Sequence, residues 1–523
     1  MGFESILDIK EPNKGVTRPA FFLDLNIDQI IERATKGDRG VIQYFEYFPL
    51  DEECVEYRRM VYRDICECGL YDALAAFNMA YNEYRDIENK KNSTRVDLQK
   101  PVWNFCGMVI YTGCLVNLLE ALKAADLKSE GFKELAKYLE EYTGTQDFIS
   151  MKEKSVKLKT ALDALSVTAD YENGRIIVSV ENGTEEEKEK SAEEDDEQEE
   201  RNFRFYEEFL SGICATNEKE FVNPCASTDE LTGFEQEIVK IVAKRNPDIF
   251  KEADKLYDEK NTYENTVFGR LADELRFYLS FYEFEEKMKK AGFAFTSPKK
   301  SEGERIAATG LYDLALACVN SEKGKPVISN DMSYEKGELF FVLTGPNQGG
   351  KTTFARSLGQ LVYFSKVGLD VPAKEVSVMY FPDILTHFSV EESVETGRGK
   401  LMEELVRLSP MMKENPSDAF VVINELFTTA ANYDAIIMGQ NVLKHFLEQG
   451  CHGIYVTHLR ELCDIDDRIV GLSAQLDENG KQNFKILKKA VDYEGCAKNQ
   501  VEKYGLGYEN LKKRLESIRG TVL

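Results

Sequence analysis

The chain has little positive charge for its size. Its 523 residues include 66 lysines and arginines against 92 aspartates and glutamates, a formal net charge of −26. Affinity for nucleic-acid phosphates comes from lysine and arginine, so any nucleic-acid contact must come from a local basic patch. The charge balance therefore disfavours a protein that coats duplex DNA indiscriminately.

Residue patterns that build metal sites are also scarce. The eleven cysteines are scattered, and even the closest two, Cys66 and Cys68, do not form a CxxC pair. No two of the four histidines have a spacing that suggests a metal site. The cysteines are interpreted as free thiols in a reducing cytosol, and no structural metal is expected.

Signals for export or membrane insertion are lacking. The N-terminal segment MGFESILDIKEPNKG is charged early and has no apolar core, which argues against a secretory signal and favours a cytoplasmic protein. Residues 102–119 carry no charge, but Asn104, Gly107 and Asn117 weaken this stretch as a membrane span. A buried helix of a large helical domain is the favoured interpretation, and no membrane partner is expected.

The chain is long enough for about two to four domains. Residues 24–160 show mostly helical periodicity, and it resumes over residues 202–292. Between them, SVTADYENGRIIVSV alternates apolar and polar residues around Asn173-Gly174, which predicts a β-hairpin with a type I′ turn. The following segment, residues 185–200, holds eleven acidic residues and is interpreted as a solvated linker, with an acidic interaction tail as the alternative.

Short β-rich segments alternate with helical ones past residue 300. GELFFVLT, a helix over 351–365, AFVVINE, a helix over 435–449 and GIYVTH form a βαβαβ succession, which predicts a largely parallel sheet. The predicted fold class is multidomain, α followed by α/β. Residues 1–294 form an all-helical core or lever with a β-hairpin and acidic insertion at 166–201. Residues 295–523 form a P-loop domain with a mixed, largely parallel sheet.

A phosphate-binding loop follows the first of these strands. GPNQGGKT matches G-x-x-x-x-G-K-[ST] at every fixed position, after a strand and before a helix. Glycines let backbone N–H groups surround phosphate, and the next helix presents its positive end. Lys351 is predicted to neutralise the β and γ phosphates of ATP, and the Thr352 hydroxyl to ligate Mg²⁺. The nucleotide-contacting residues of this loop are predicted to be Gly345, Pro346, Asn347, Gln348, Gly349, Gly350, Lys351, Thr352 and Thr353.

Acidic and polar residues end the next two strands. Glu425 follows FVVIN and is predicted to act as general base or to position the attacking water. Asn424 occupies the position where an aspartate would hold Mg²⁺ through water, so an amide replaces a charge there. The predicted Mg²⁺ site consists of Thr352, Asn424 and Glu425. His458, after the third strand, is either a contact to the γ-phosphate or attacking water, or a structural residue.

These residues, in this order, resemble the ATPase domain of MutS-type mismatch-repair proteins, an ABC-class P-loop fold. The resemblance rests on TGPNQGGKTT, LDVPA, VETGRGKLMEE, NELFTTAANYDA and VTHLREL. Weaker similarity upstream, at residues 25–34, 50–65 and 311–334, suggests the helical lever of that family. The resemblance implies a homodimer gated by Mg-ATP, with each nucleotide between two subunits. The loop Gly397, Arg398, Gly399 and Lys400 would then contact the partner's γ-phosphate.

The sequence departs from the family pattern at three places. Asn424 replaces the usual aspartate, which predicts slow ATP hydrolysis. Gly399-Lys400 stand where the family shows Ser-Thr. The residues before Asp24 are too few to be expected to form a mismatch-reading domain, and the acidic residues 166–201 lie where a DNA clamp would be expected. The leading hypothesis is an ATP-dependent DNA-binding protein of repair type that clamps DNA. The alternative is a nucleotide-gated ATPase that binds a protein partner.

Overall fold

The structure is a computed structural model, and it describes most of the chain. The described residues are 3–8, 18–49, 51–94, 97, 99–172, 175–182, 202–204, 240–258, 265–301, 306–389, 399–413, 417–477, 482–488, 508, 510–512 and 514. Two compact units are present. Unit 1 comprises Met1–Ile6 and Asp64–Leu279, and unit 2 comprises Leu7–Arg63 and Ser280–Leu523. The predicted domain boundary between residues 294 and 295 falls within unit 2. This boundary remains a prediction.

Helices dominate the first 300 residues. Local signals fix several helix starts, since Asp38, Ser129 and Thr145 each accept a hydrogen bond from a backbone N–H of the first turn. The helices are α1 (Phe21–Asp24), α2 (Ile27–Thr35), α3 (Arg39–Glu46), α4 (Glu52–Glu67), α5 (Tyr71–Ser93), α6 (Gln99–Ala124), α7 (Glu130–Thr143), α8 (Gln146–Asp163), α9 (Pro247–Asp258), α10 (Thr266–Lys290), α11 (Leu314–Ser321), α12 (Lys351–Lys366), α13 (Lys400–Lys413) and α14 (Asn432–Glu448).

The strands among the described residues form three sheets. They are β1 (Leu165–Glu172), β2 (Arg175–Asn182), β3 (Asn202–Arg204), β4 (Lys299–Lys300), β5 (Ile306–Leu311), β6 (Asn330–Tyr334), β7 (Phe340–Thr344), β8 (Glu375–Val378), β9 (Ile384–Phe388), β10 (Phe420–Asn424), β11 (His452–Val456), β12 (Ile469–Leu476) and β13 (Gln482–Leu487). The strand orders are β2-β1-β3, β4-β8-β5-β6 and β13-β12-β7-β11-β10-β9.

Unit 1 is built around the apolar helix α6. Among the described residues, the segment Lys100–Ala124 is long and apolar enough to cross a membrane by length and composition, although 56% of its most apolar window is buried inside the protein. Phe105 and Met108 belong to a core that also contains Ile87 and Leu158. This packing agrees with the prediction of a buried core helix.

A three-stranded sheet interrupts the helices of unit 1. β1 and β2 pair antiparallel from Leu165 with Asn182 to Glu172 with Arg175, on either side of the predicted Asn-Gly turn. That turn and the acidic segment 185–200 lie outside the described residues. The helical periodicity expected from residue 202 is wrong at its start, because residues 202–204 form β3, which pairs with β1. Local helical periodicity in a sequence does not show that a short segment will pair with a distant strand at the edge of a sheet.

The six-stranded sheet of unit 2 confirms the predicted βαβαβ succession. β7, β10 and β11 are buried along their whole length, as strands covered on both faces by helices require. β7 pairs in parallel with β11 and β12, and β10 pairs in parallel with β9 and β11. β13 is antiparallel to β12, so the sheet is mixed and largely parallel.

The N-terminal helices belong to the same unit as this sheet. Tyr363 on α12 contacts the rings of Phe21, Phe22 and Phe48, and its hydroxyl donates to the Phe45 carbonyl at 2.8 Å. Residues 18–48, which the sequence places in a helical lever, therefore pack directly on the helix that follows the P-loop.

Candidate functional site

The glycine loop leaves the C-terminal end of β7 and turns directly into α12. Gly345 and Gly350 have φ values of 145° and 86°, in a region that side chains rarely adopt. A Cβ built on Gly345 would lie 2.8 Å from the Cβ of Ala474 in β12. Glycine is therefore required at this position both for its backbone conformation and for the close approach of the neighbouring strand.

Lys351 folds back over the loop. Its Nζ donates to the carbonyls of Gly345 at 2.9 Å and Pro346 at 3.1 Å, and only 4% of the residue is exposed. Burial lowers the pKa of Lys351, and the Glu425 carboxylate opposes that shift. The ammonium is thus held at the mouth of a glycine loop and the start of a helix, where phosphate oxygens would bind.

Two of the three predicted Mg²⁺ ligands, Thr352 and Asn424, are brought together. The Thr352 hydroxyl donates to Oδ1 of Asn424 at 3.0 Å, and Asn424 is the last residue of β10. Hydroxyl and amide oxygens suit a hard cation such as Mg²⁺, which commonly keeps several waters. The residues therefore fit the ion, although the only predicted carboxylate ligand is Glu425.

Glu425 and His458 face each other at the ends of adjacent strands. Oε1 of Glu425 lies 3.5 Å from Nε2 of His458. The hydrogen bond from His458 lowers the pKa of Glu425 against the effect of burial, and the charges of Lys351 and Lys400 lower it further. Glu425 also has a φ of 55°, a conformation that costs a non-glycine residue about 1–2 kcal/mol. An ionised carboxylate in a strained backbone position is typical of a functional site.

The predicted partner-contacting loop is described only at its end. Gly397 and Arg398 lie outside the described residues, whereas Gly399 directly precedes α13 and Lys400 begins it. The Gly399 carbonyl accepts the N–H of Met402 at 2.9 Å. Since Lys400 contributes to the low pKa of Glu425, its charge acts on the site of its own chain.

A single cavity of about 670 Å³ collects most of the predicted residues. It is lined by residues 347–353, by Glu425 and His458, and by residues that the sequence analysis did not single out. Among the latter are Leu316, Ile328 and Phe484, which are 38%, 43% and 44% exposed. No local sequence pattern marks these three apolar residues as a site. They line one cavity only because tertiary contacts bring their segments together.

Phe484 is held in place by its neighbours. Asn330 Nδ2 donates to the Phe484 carbonyl at 3.2 Å, and Asn330 Oδ1 accepts the N–H of Ile486 at 2.9 Å. Gln482 Nε2 donates to the Asn347 carbonyl of the glycine loop at 2.8 Å. The β13 strand is therefore tied to both β6 and the loop.

Residues 341–511 match the family described as MutS domain V. This C-terminal region of the chain is therefore MutS-like in sequence. The match begins in β7 and includes the glycine loop, Lys400, Asn424, Glu425 and His458. The segment 311–330 that lines the other wall of the cavity lies before it.

MutS-like proteins of bacteria and fungi align with this chain. A DNA mismatch repair protein MutS of Lactococcus lactis is 26% identical over 205 residues, which is 38% of this chain and 24% of the relative. DNA mismatch repair protein MSH2 of Saccharomyces cerevisiae is 26% identical over 162 residues, 30% of this chain and 17% of the relative. A MutS of Thermotoga petrophila is 22% identical over 281 residues, 53% of this chain and 33% of the relative. The chain thus spans a third or less of the length of these relatives.

Proposed function

We propose that this MutS-like protein binds Mg-ATP at residues 345–353 and hydrolyses it slowly. The observation that carries the proposal is the convergence of Lys351, Thr352, Asn424, Glu425 and His458 around one glycine loop. These residues come from three strand ends of a largely parallel sheet, where ligands of such sheets bind. The cavity of about 670 Å³ is large enough for a nucleotide.

The apolar wall of the cavity suits a nucleobase. Leu316 and Ile328 come from the segment before β6, and Phe484 comes from β13 on the other side of the glycine loop. An aromatic ring and branched aliphatic side chains offer the flat apolar contact that a purine needs. Adenine is assigned to this wall, with the phosphates directed to Lys351.

Each polar residue of the site has a separate proposed role in hydrolysis. The ionised Glu425 accepts a proton from the attacking water, and the imidazole of His458 orients that carboxylate. Lys351 would neutralise the β and γ phosphates. Thr352 and Asn424 would hold Mg²⁺, which would supply positive charge to the phosphoryl oxygens. Because Asn424 adds no negative charge, the ion is held less tightly than by an aspartate. Turnover is expected to be slow for that reason.

A second copy of the chain is proposed to complete the site. Lys400 stands at the start of α13, beside an open depression of about 440 Å³ bordered by Gly399, Leu401, Met402, Leu405 and Thr429. Met402, Leu405 and Val406 on α13 are exposed large apolar residues, as are Tyr433 and Ile437 on α14. Exposed apolar side chains on elements near a ligand site are typical of an interface. We propose that the homodimer forms through these residues.

DNA is the proposed macromolecular partner, because the aligned relatives are named as DNA mismatch repair proteins. The net charge of −26 favours the alternative, in which the nucleotide-gated ATPase binds a protein partner in place of DNA. Binding of mismatched and homoduplex DNA, measured with and without Mg-ATP across a salt series, separates the two. Affinity that falls steeply with salt supports DNA, while no measurable affinity at any salt concentration contradicts it.

ATP binding itself is tested by calorimetric titration of wild-type protein and Lys351→Ala. The variant should bind Mg-ATP about 100-fold more weakly, since it leaves phosphate charge unpaired in a partly buried site. Lys336→Ala removes an exposed lysine from the β6–β7 turn and serves as the matched control. Equal affinity in all three proteins would refute the site.

A further inference from the structure

Glu404 is a buried carboxylate one turn after Lys400 on α13. Only 1% of the residue is exposed. Its Oε2 accepts the backbone N–H of Phe427 at 3.0 Å. Phe427 lies two residues after Glu425, so a side chain of α13 holds the main chain directly beside the proposed hydrolytic carboxylate.

The backbone at this point needs such a restraint. Glu425 and Phe427 have φ values of 55° and 62°, which are both in the left-handed region that non-glycine residues avoid. The N–H of Glu425 is bonded to the Val456 carbonyl at 2.9 Å. The hydrogen bond from the Phe427 N–H to Glu404 restrains the chain two residues after Glu425. Together the two hydrogen bonds fix the direction of the chain that presents the Glu425 side chain.

The surroundings of Glu404 are polar, buried and incompletely paired. His387 is fully buried, and its Nε2 lies 3.3 Å from the Glu404 carbonyl. Within the described part of the chain, Glu404 Oε1, His387 Nδ1 and the Tyr455 hydroxyl are buried without a hydrogen-bond partner. Buried polar atoms left unpaired are costly, so the packing of α13 against these residues is not fully satisfied.

α13 also touches the N-terminal part of unit 2. Arg407, three residues after Glu404, donates to the Phe388 carbonyl at 3.1 Å and lies 3.5 Å from the Asp24 carboxylate. The same carboxylate accepts the Thr386 hydroxyl at 2.6 Å. α13 therefore connects Lys400, the chain after Glu425, and helix α1.

We propose that Glu404 is a positioning residue that couples α13 to Glu425. Its carboxylate holds Phe427 in the left-handed conformation, so a displacement of α13 by a partner subunit at Lys400 moves the Glu425 carboxylate. This coupling rests on the proposed function, because it concerns hydrolysis of ATP at the same site. Hydrolysis then depends on Glu404 more strongly than ATP binding does.

Two substitutions separate the hydrogen bond from the charge. Glu404→Leu has a similar size and cannot accept a hydrogen bond, whereas Glu404→Gln keeps an oxygen acceptor for the Phe427 N–H. Glu403→Gln, one residue away on α13, is the matched control for loss of a carboxylate. For each protein the single-turnover rate of ATP hydrolysis and the Kd for Mg-ATP are measured, together with the melting temperature.

Glu404→Leu should lower the single-turnover rate about tenfold, the equivalent of one lost hydrogen bond, with the Kd unchanged. Glu404→Gln and Glu403→Gln should keep the wild-type rate. A wild-type rate in Glu404→Leu, or a rate and affinity that fall in parallel with the melting temperature, would overturn the coupling. Absence of Mg-ATP binding by the wild-type protein would instead overturn the proposed function, and the coupling with it.

Should Glu404→Leu fail to fold, hydrogen exchange in the wild-type protein decides. The peptide covering residues 425–429 should exchange at different rates with a non-hydrolysable ATP analogue and with ADP, because α13 moves between these states. Identical exchange in both nucleotides, with both bound, would overturn the coupling.

Discussion

At the scale of single residues, Asn424 is proposed to allow ATP binding and to slow ATP hydrolysis. Its amide oxygen accepts the Thr352 hydroxyl at 3.0 Å, at the position where the family resemblance implies a metal-holding aspartate. An amide accepts hydrogen bonds from metal-bound water but contributes no charge to the ion. An amide oxygen at position 424 can therefore accept hydrogen bonds as a carboxylate does, but Glu425 alone of these two residues supplies negative charge.

Asn424→Asp should raise the turnover number about tenfold and lower the Mg²⁺ concentration for half-maximal rate, because a carboxylate holds the ion more tightly. Steady-state ATPase assays across a Mg²⁺ series measure both quantities. Asn432→Asp adds the same charge at the exposed start of α14 and should change neither. If Asn424→Asp matches the wild-type protein in both quantities, the missing charge does not limit turnover.

The sequence identifies these residues because the glycine loop and the strand ends are local patterns. Lys351, Asn424 and Glu425 follow from motif spacing, and the structure places them together. Phe484 and the Glu404–Phe427 hydrogen bond could not be predicted in this way. Each depends on segments about 20 to 130 residues apart in sequence, which only the folded sheet brings into contact.

At the scale of elements, the end of α12 packs tightly on α4. Gly368 has a φ of 79°, and a Cβ built on it would lie 2.6 Å from the Cβ of Arg58. The same Cβ would lie 3.1 Å from the Arg59 nitrogen and from the Val55 carbonyl oxygen. Backbone atoms of a helix cannot yield as the end of a side chain can. The close approach of α4 therefore requires a glycine.

Gly368→Ala should lower the free energy of unfolding of unit 2 by roughly 2–5 kcal/mol, from left-handed strain and overpacking together. Gly337→Ala is the matched control, since Gly337 has a φ of 89° and a Cβ built on it would meet no neighbour within 4 Å. It should cost only the strain, about 1–2 kcal/mol. Urea denaturation followed by far-UV circular dichroism measures both losses. Equal losses would show that the contact with α4 adds no cost of overpacking.

Helices and strands can be predicted from sequence where a buried strand is a run of apolar residues or a helix has an apolar side. β7, β10 and β11 are apolar runs, and α2 buries Ile27, Ile30 and Ile31 on one side. The packing of residues 18–48 on α12 is not predictable in this way. It depends on contacts such as Gln360 Nε2 with the Leu25 carbonyl, across 335 residues of sequence.

At the scale of the whole molecule, charge and assembly decide the biological role. The net charge of −26 and the acidic segment 185–200 leave a restricted surface for DNA phosphates. The exposed apolar residues of α13 and α14, by contrast, are suited to contact with a second copy of the chain. We therefore expect two chains to pair in a nucleotide-dependent way.

The most direct test is the mass in solution of Glu425→Gln with Mg-ATP and with Mg-ADP, by sedimentation velocity. This variant removes the proposed general base and should retain bound ATP. We expect a species of twice the chain mass that forms with ATP and is absent with ADP. The same mass in both nucleotides, with both shown to be bound, would contradict it.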